Sequence, residues 1–135
     1  MRFLNRRHFF KGADFKRLVD PYIRKALRKG VPPVFVDLRP LLRRDPAKLA
    51  AVEELCAMYM ENLQKSDTFD GAPGAEKEPA TALLWLLFFN AQVLDFKRDY
   101  QGALETVDRA IEHTPTLIEL FVLKGKIYRV RKWSF

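Results

Sequence analysis

The amino-acid sequence predicts an all-α fold assembled from helical hairpins. Three observations predict it. Apolar residues recur at i, i+3 and i+4 along most of the 135 residues, the pattern of a helix with one buried face. Proline and glycine interrupt that pattern where such helices must end. No stretch longer than about four residues alternates apolar with polar as a half-buried strand does. With 48% hydrophobic and 30% charged residues the composition is that of a folded chain, which excludes a disordered or fibrous one.

Residues 1–13, beginning MRFLNRRHFF, read as a basic N-terminal extension. They lack the apolar core and small-residue cleavage site of a secretory signal, and their arginines come without the serines of an organelle transit peptide. Residues 14–65 form a helical hairpin region. From Asp14, the residues Phe15, Leu18, Val19, Tyr22, Ile23, Ala26 and Leu27 keep helical spacing, and Lys29-Gly30 supplies a basic last turn and a C-terminal glycine. Pro21 removes one backbone donor inside this pattern, so a kink or a separate first turn before residue 20 is expected. Prolines 32, 33, 40 and 46 leave room for a short helix near residues 33–43. Asp45 is then a good N-cap with Pro46 at the first helical position, and Leu49, Val52, Cys56, Tyr59, Met60 and Leu63 mark one face to about residue 65.

Residues 66–79, SDTFDGAPGAEKEP, lose all periodicity and read as a flexible surface loop. Residues 80–135 resume as helices. ATALLWLLFFNAQVLDF is apolar nearly all round, the mark of a helix covered on several sides. A break at Lys97-Arg98 and another at Pro115 separate it from two further amphipathic segments. The longest apolar run is far short of the roughly 20 residues a membrane span needs.

Small and bulky residues in 84–115 fall where a tetratricopeptide repeat, a helix-turn-helix of about 34 residues, places them. Ala91 takes the small position of the first helix, Tyr100 the inter-helix turn, Ala103 and Ala110 the tight positions of the second with Val107 between them, and Pro115 the terminating position. One period later Gly125 stands in for Ala91 and Tyr128 for Leu94. The chain therefore reads as a fragment of a tetratricopeptide-type α-solenoid, one repeat and an incomplete second. Trp85, Leu87, Phe88, Ala91, Val107 and Phe121 are its expected stacking core. Such repeats bury one another and present surface to partners, so the architecture points to binding.

Longer strings carry a more specific likeness. KGVPPVFVDLRPLLRRDPAKLAAVEEL, EPATALLWLLFFNAQ and above all AIEHTPTLIELFVLKGKIY resemble a middle segment of the auxiliary subunit of NatA, the ribosome-associated N-terminal acetyltransferase, from about Phe10 to Tyr128. The resemblance implies a non-catalytic solenoid in a cytoplasmic, ribosome-associated complex. Such subunits wrap the acetyltransferase catalytic subunit, tune it toward small first residues such as Ser and Ala, and tether it to the ribosome. In that family a glycine-containing turn and a second helix follow the position of Tyr128. Here RVRKWSF stands instead, so a segment of a longer scaffold, a truncated gene model or an alternative ending is expected. The alternative is an independent tetratricopeptide adaptor that captures acidic peptide tails, for which one and a half repeats offer little groove.

Candidate sites are basic. Residues 1–48 hold 14 Lys/Arg against 4 Asp/Glu and residues 49–135 hold 10 against 13, which divides the net +7 into +10 and −3. Arg24, Lys25, Arg28 and Lys29, with Arg39, Arg43 and Arg44, form the larger patch, and spacing is expected to put its members on the first helix opposite Leu18 and Tyr22. It is either solvated helix surface or a footprint for ribosomal RNA phosphates. Lys124, Lys126 and Arg129, followed by Arg131 and Lys132, form a second cluster. This is either a C-terminal turn complementing the helix dipole or, as the resemblance implies, contacts to inositol hexakisphosphate in the assembled complex. No catalytic or metal-ligating residue is assigned. His8 and His113 lack partners at ligand spacing, Cys56 sits on an apolar helix face, and no nucleophile or phosphate-loop motif is present. Neither a membrane nor DNA is implied as a partner.

Overall fold

Six α-helices make up the regular structure of the residues that the computed structural model describes, 12–30, 34–72 and 74–133. They are α1 (Gly12–Lys29), α2 (Val34–Leu42), α3 (Pro46–Ser66), α4 (Ala82–Phe96), α5 (Tyr100–His113) and α6 (Ile118–Trp133). No strand occurs among the described residues, in keeping with the all-α expectation. The first eleven residues of the basic extension, His8 included, lie outside them. The chain divides into two compact units, residues 1–83 and residues 84–135.

In the first unit α3 packs along α1 and against α2. Phe15, Val19, Ile23 and Leu27, four apart, line the inner face of α1 and are buried; Val52, Leu55, Cys56 and Tyr59 of α3 and Leu38, Leu41 and Leu42 of α2 are buried with them. Each such side chain contributes about 1.5–3 kcal/mol of transfer free energy. α1 runs through Pro21 as one helix instead of dividing before residue 20. Pro21 lies on the exposed side, where water satisfies the carbonyl that its missing N–H leaves free. The start of α3 follows its capping residues: the Asp45 carboxylate accepts from the Lys48 N–H at 3.3 Å, with Pro46 at the first helical position. The Lys48 ammonium, almost fully buried, is held 3.3 Å from Asp45 and over the Phe15 ring. Across to α2, the Tyr22 hydroxyl donates to Asp37 at 2.8 Å.

Residues 67–72 and 74–79 have no regular structure, but they are tied to the helices. Asp67 ends α3 in the left-handed conformation (φ 60°), and Thr68 and Phe69 turn inward and are buried. Asn62 donates to the Phe69 carbonyl at 2.7 Å, the Thr68 hydroxyl accepts from the Gly71 N–H at 2.9 Å, and the Glu78 N–H closes onto the Asp67 carbonyl at 2.8 Å. Gly71 is needed here. Its φ is +68°, and a Cβ would stand 2.7 Å from the Asn62 side-chain oxygen. The Glu78 side chain, 7% exposed, accepts from Arg28 of α1 through both oxygens at 2.6 and 3.1 Å and from the Phe69 N–H at 3.1 Å.

In the second unit α5 packs along α6. α4 is buried on most sides, with Leu84, Leu86, Leu87, Phe88, Phe89, Ala91 and Val93 all inside, and Trp85 meets Phe88 edge-on at 5.8 Å. Arg98 turns the chain at φ 67°. Asp99 then caps α5 by accepting from the Gly102 N–H at 3.1 Å. A Cβ on Gly102 would stand 2.6 Å from that same carboxylate, so the glycine makes room for the cap.

The Arg28 pairing holds the Glu78 carboxyl below its ordinary value, and a carboxyl lowered on folding stabilises above its unfolded pKa of about 4.3 and loses that contribution as pH falls through the folded value. Glu78→Gln is expected to cost about 1–2 kcal/mol at neutral pH. The loss should shrink toward zero well below pH 4. Urea unfolding at both pH values checks this, and equal losses at both would contradict it.

Candidate functional site

The larger basic patch separates into two kinds of residue. Arg24 does not lie on a solvated face, where helical spacing placed it, and Arg28 is exposed there but paired with Glu78. The Arg24 side chain is only 14% exposed; it donates to Asp20 at 2.8 Å and to Asp70 of the loop, with its guanidinium 5.4 Å from the centre of the Tyr59 ring. Tyr59 in turn donates to the Asp20 carboxylate. Burial works against the Arg24 charge, but its hydrogen bonds to Asp20 and Asp70 outweigh that and push its pKa up. Burial, reinforced by Asp20, raises the Tyr59 pKa and keeps it a phenol. Arg28 stacks 5.3 Å over Phe69 while it holds Glu78. The loop supplies the partners of both guanidinium groups, Asp70 to Arg24 and Glu78 and Phe69 to Arg28, and helical spacing carries no information about those partners. Lys25, Lys29, Arg39, Arg43 and Arg44 remain exposed, leaving a smaller cationic surface on α1, α2 and the turn after it.

The cluster on α6 also divides. Lys124 turns toward α5, where its ammonium meets Asp108 at 2.7 Å, and that hydrogen bond raises its pKa. Lys126 and Arg129 are exposed and share a face, three residues apart. Residues 124 and 126 point about 160° from each other around a helix, so the three cations do not converge. Arg131 is exposed as well.

The repeat positions fall into a buried and an exposed set. Ala91, Ala103, Val107 and Ala110 are fully buried, and Tyr100 is half-buried. Pro115, Gly125 and Tyr128 are exposed. Phe121, expected in the stacking core, is 51% exposed, because α6 packs on α5 through Leu120, Leu123 and Ile127 and its opposite side meets solvent. Spacing alone missed this, since α6 has apolar residues on two faces and periodicity does not say which one is occupied.

Chemistry finds little here. Burial, with Glu53 nearby, pushes the Cys56 thiol up to about 12, the behaviour of a packed hydrophobe. His113 is exposed and its ring bonds the adjacent Thr114 hydroxyl at 2.8 Å. No three His, Cys, Asp or Glu side chains converge as metal ligands among the described residues, and no described helix is long and apolar enough to cross a membrane.

Helical hairpins with fully buried alanines, and a last helix that buries one apolar face and presents another, define a piece of a stacked α-solenoid. The chain belongs to the family of N-terminal acetyltransferase A auxiliary subunits, whose family model matches residues 6–131. It is 41% identical over 118 residues to the human N-alpha-acetyltransferase 16, NatA auxiliary subunit, covering 87% of this chain and 14% of that protein. The mouse counterpart is 40% identical over 121 residues, covering 90% and 14%. The N-terminal acetyltransferase A complex auxiliary subunit NAA15 of Arabidopsis thaliana is 39% identical over 122 residues, covering 90% and 13%. The chain thus spans about one seventh of the length of these relatives.

The two faces of α6 predict opposite sensitivities for neighbouring residues. Leu120→Ala should cost about 2–5 kcal/mol, and Phe121→Ser less than about 0.5 kcal/mol. Thermal unfolding followed by circular dichroism reads both, and a large loss from Phe121→Ser would place that ring in the core after all.

Proposed function

We infer that the chain is a non-catalytic scaffold segment of a NatA-type auxiliary subunit, acting in the cytoplasm in co-translational N-terminal acetylation. Its work is to supply solenoid surface that holds the acetyltransferase catalytic subunit at the ribosome. Support comes above all from the family match over residues 6–131, borne by a chain whose described residues fold into six α-helices. Stacked repeats of this kind act through surface, and their contribution is positional.

Two cationic surfaces have separate parts in this proposal. Lys25, Lys29, Arg43 and Arg44, exposed beside α1 and α2, contact ribosomal RNA phosphates by charge, without reading bases. Lys126 and Arg129 contact inositol hexakisphosphate in the assembled complex, where ammonium and guanidinium groups on one face suit a polyphosphate. Lys124 contributes through its field while its ammonium stays with Asp108.

The test is a chimera in which this chain replaces the matching segment of a full-length auxiliary subunit. Co-purification of the catalytic subunit and acetylation of a Ser-initiated peptide are expected to match the parent, and loss of both from a folded chimera would reject the scaffold role. In the same background, reversing Lys25, Lys29, Arg43 and Arg44 to Glu should weaken ribosome co-sedimentation and flatten its dependence on salt, with acetylation of the free peptide unchanged. Reversing Lys126 and Arg129 should lower the affinity for inositol hexakisphosphate measured by calorimetry, by about tenfold for each 1.4 kcal/mol lost.

A further inference from the structure

Arg28 stands on the exposed cationic side of α1 with Lys25 and Lys29, yet its charge is already answered. Glu78 reaches it from 50 residues along the chain and accepts through both oxygens at 2.6 and 3.1 Å. One turn earlier, Asp70 of the same loop meets Arg24 beside Asp20. Residues 66–79 carry Asp67, Asp70, Glu76 and Glu78 against Lys77. An acidic loop is thus laid on the basic helix, and Glu78 takes the forked geometry in which a guanidinium also holds a phosphate.

The two ends of the Arg28 pair differ in exposure. The Glu78 side chain is 7% exposed and that of Arg28 44%, so the guanidinium meets water while the carboxylate holds it. An incoming phosphate can therefore reach Arg28 before Glu78 lets go. Asp70, 58% exposed, is open to displacement in the same way. What attaches the loop apart from these carboxylates is mostly apolar. Phe69 is fully buried with its ring 5.1 Å from that of Tyr59, Thr68 is buried next to it, and Asn62 donates to the Phe69 carbonyl at 2.7 Å. Ion pairs and anchor are separable. Arg24 keeps Asp20 when Asp70 leaves, whereas release of Glu78 frees the Arg28 charge.

We propose that the loop is a built-in competitor for phosphate on α1. Asp70 and Glu78 occupy Arg24 and Arg28 until phosphates of an RNA backbone displace them, while Phe69 keeps the loop attached. The closed form offers Lys25 and Lys29 on this side of α1, and exchange adds Arg28. The proposal rests on the reading of Lys25 and Lys29 as phosphate contacts. Because binding and exchange are linked, RNA loosens Glu78 by the same factor as Glu78 weakens RNA.

Fluorescence anisotropy with a single-stranded oligouridylate over a range of salt, on the full 135-residue chain, tests it. Asp70→Asn with Glu78→Gln is expected to bind roughly tenfold tighter, with a salt slope steeper by about 0.7 for each phosphate gained. Glu61→Gln with Glu76→Gln makes the same change of net charge at carboxylates that hold neither arginine, and should gain much less. Arg28→Gln, added to the first pair, should remove the extra slope. Hydrogen exchange on the unsubstituted chain gives a second readout, independent of how any variant folds. The Phe69 N–H, whose acceptor is the Glu78 carboxylate, should exchange several-fold faster with oligouridylate bound, and the Gly71 N–H, held by Thr68, should not. Equal gains from the two pairs of substitutions, or a Phe69 N–H unmoved or slowed by RNA, would overturn the proposal. If Lys25→Glu with Lys29→Glu abolishes binding but the loop variants gain nothing, the phosphate surface stands and the competitor falls. If no form of the chain binds oligouridylate, both fall.

Discussion

A guanidinium group brought almost out of water needs carboxylates around it, or the cost reaches several kcal/mol. Arg24 is in that position, and it draws together α1, α3 and the loop after α3. Asp20 comes from the preceding turn of the same helix, Tyr59 from α3 beneath, and Asp70 from a loop that must fold back to deliver it. One turn further along, Arg28 repeats the arrangement with Glu78 and Phe69. The loop, two helices and the ring between them are therefore parts of one polar and aromatic knot.

Residues 84–135 are held differently. Their buried polar groups are few, and alanines at 91, 103 and 110 with Val107 occupy the interior. Leu86, Leu87, Phe89, Leu120 and Ile127 are buried in the same unit, so the small side chains let helices approach closely while the large ones supply the buried area.

Much of this was legible in the residues. Helical spacing, the Asp45-Pro46 cap and the break at Lys97-Arg98 depend on neighbours within a few positions, so a local reading finds them. Ala91, Ala103 and Ala110, small residues expected at close helix contacts, are fully buried. Arg24 was misread as surface, and the pairing of Arg28 was missed, because their loop partners lie 46 and 50 residues away, in a segment whose lack of periodicity suggested only freedom. Phe69 sits inside that segment as one aromatic among polar residues and glycines, with no pattern to announce its burial. Phe121 was misread for the opposite reason. It has perfect helical spacing, but on the face of α6 that the second unit leaves open.

The long reach of the Arg24 and Arg28 pairs has a consequence for the order in which the chain takes shape during synthesis. Helices and sequential hairpins are local and form quickly, whereas contacts between distant residues wait for the intervening chain. α1 is made early, yet Arg24 and Arg28 have no carboxylate from the loop until residues 70 and 78 have followed. Until then the first unit exposes the Tyr59 ring and the site that Phe69 will fill, and its native interior is completed by the last residues before α4. A ribosome pausing between α3 and residue 78 would therefore hold a half-sealed unit, and the rate of translation through this loop sets how long it stays open.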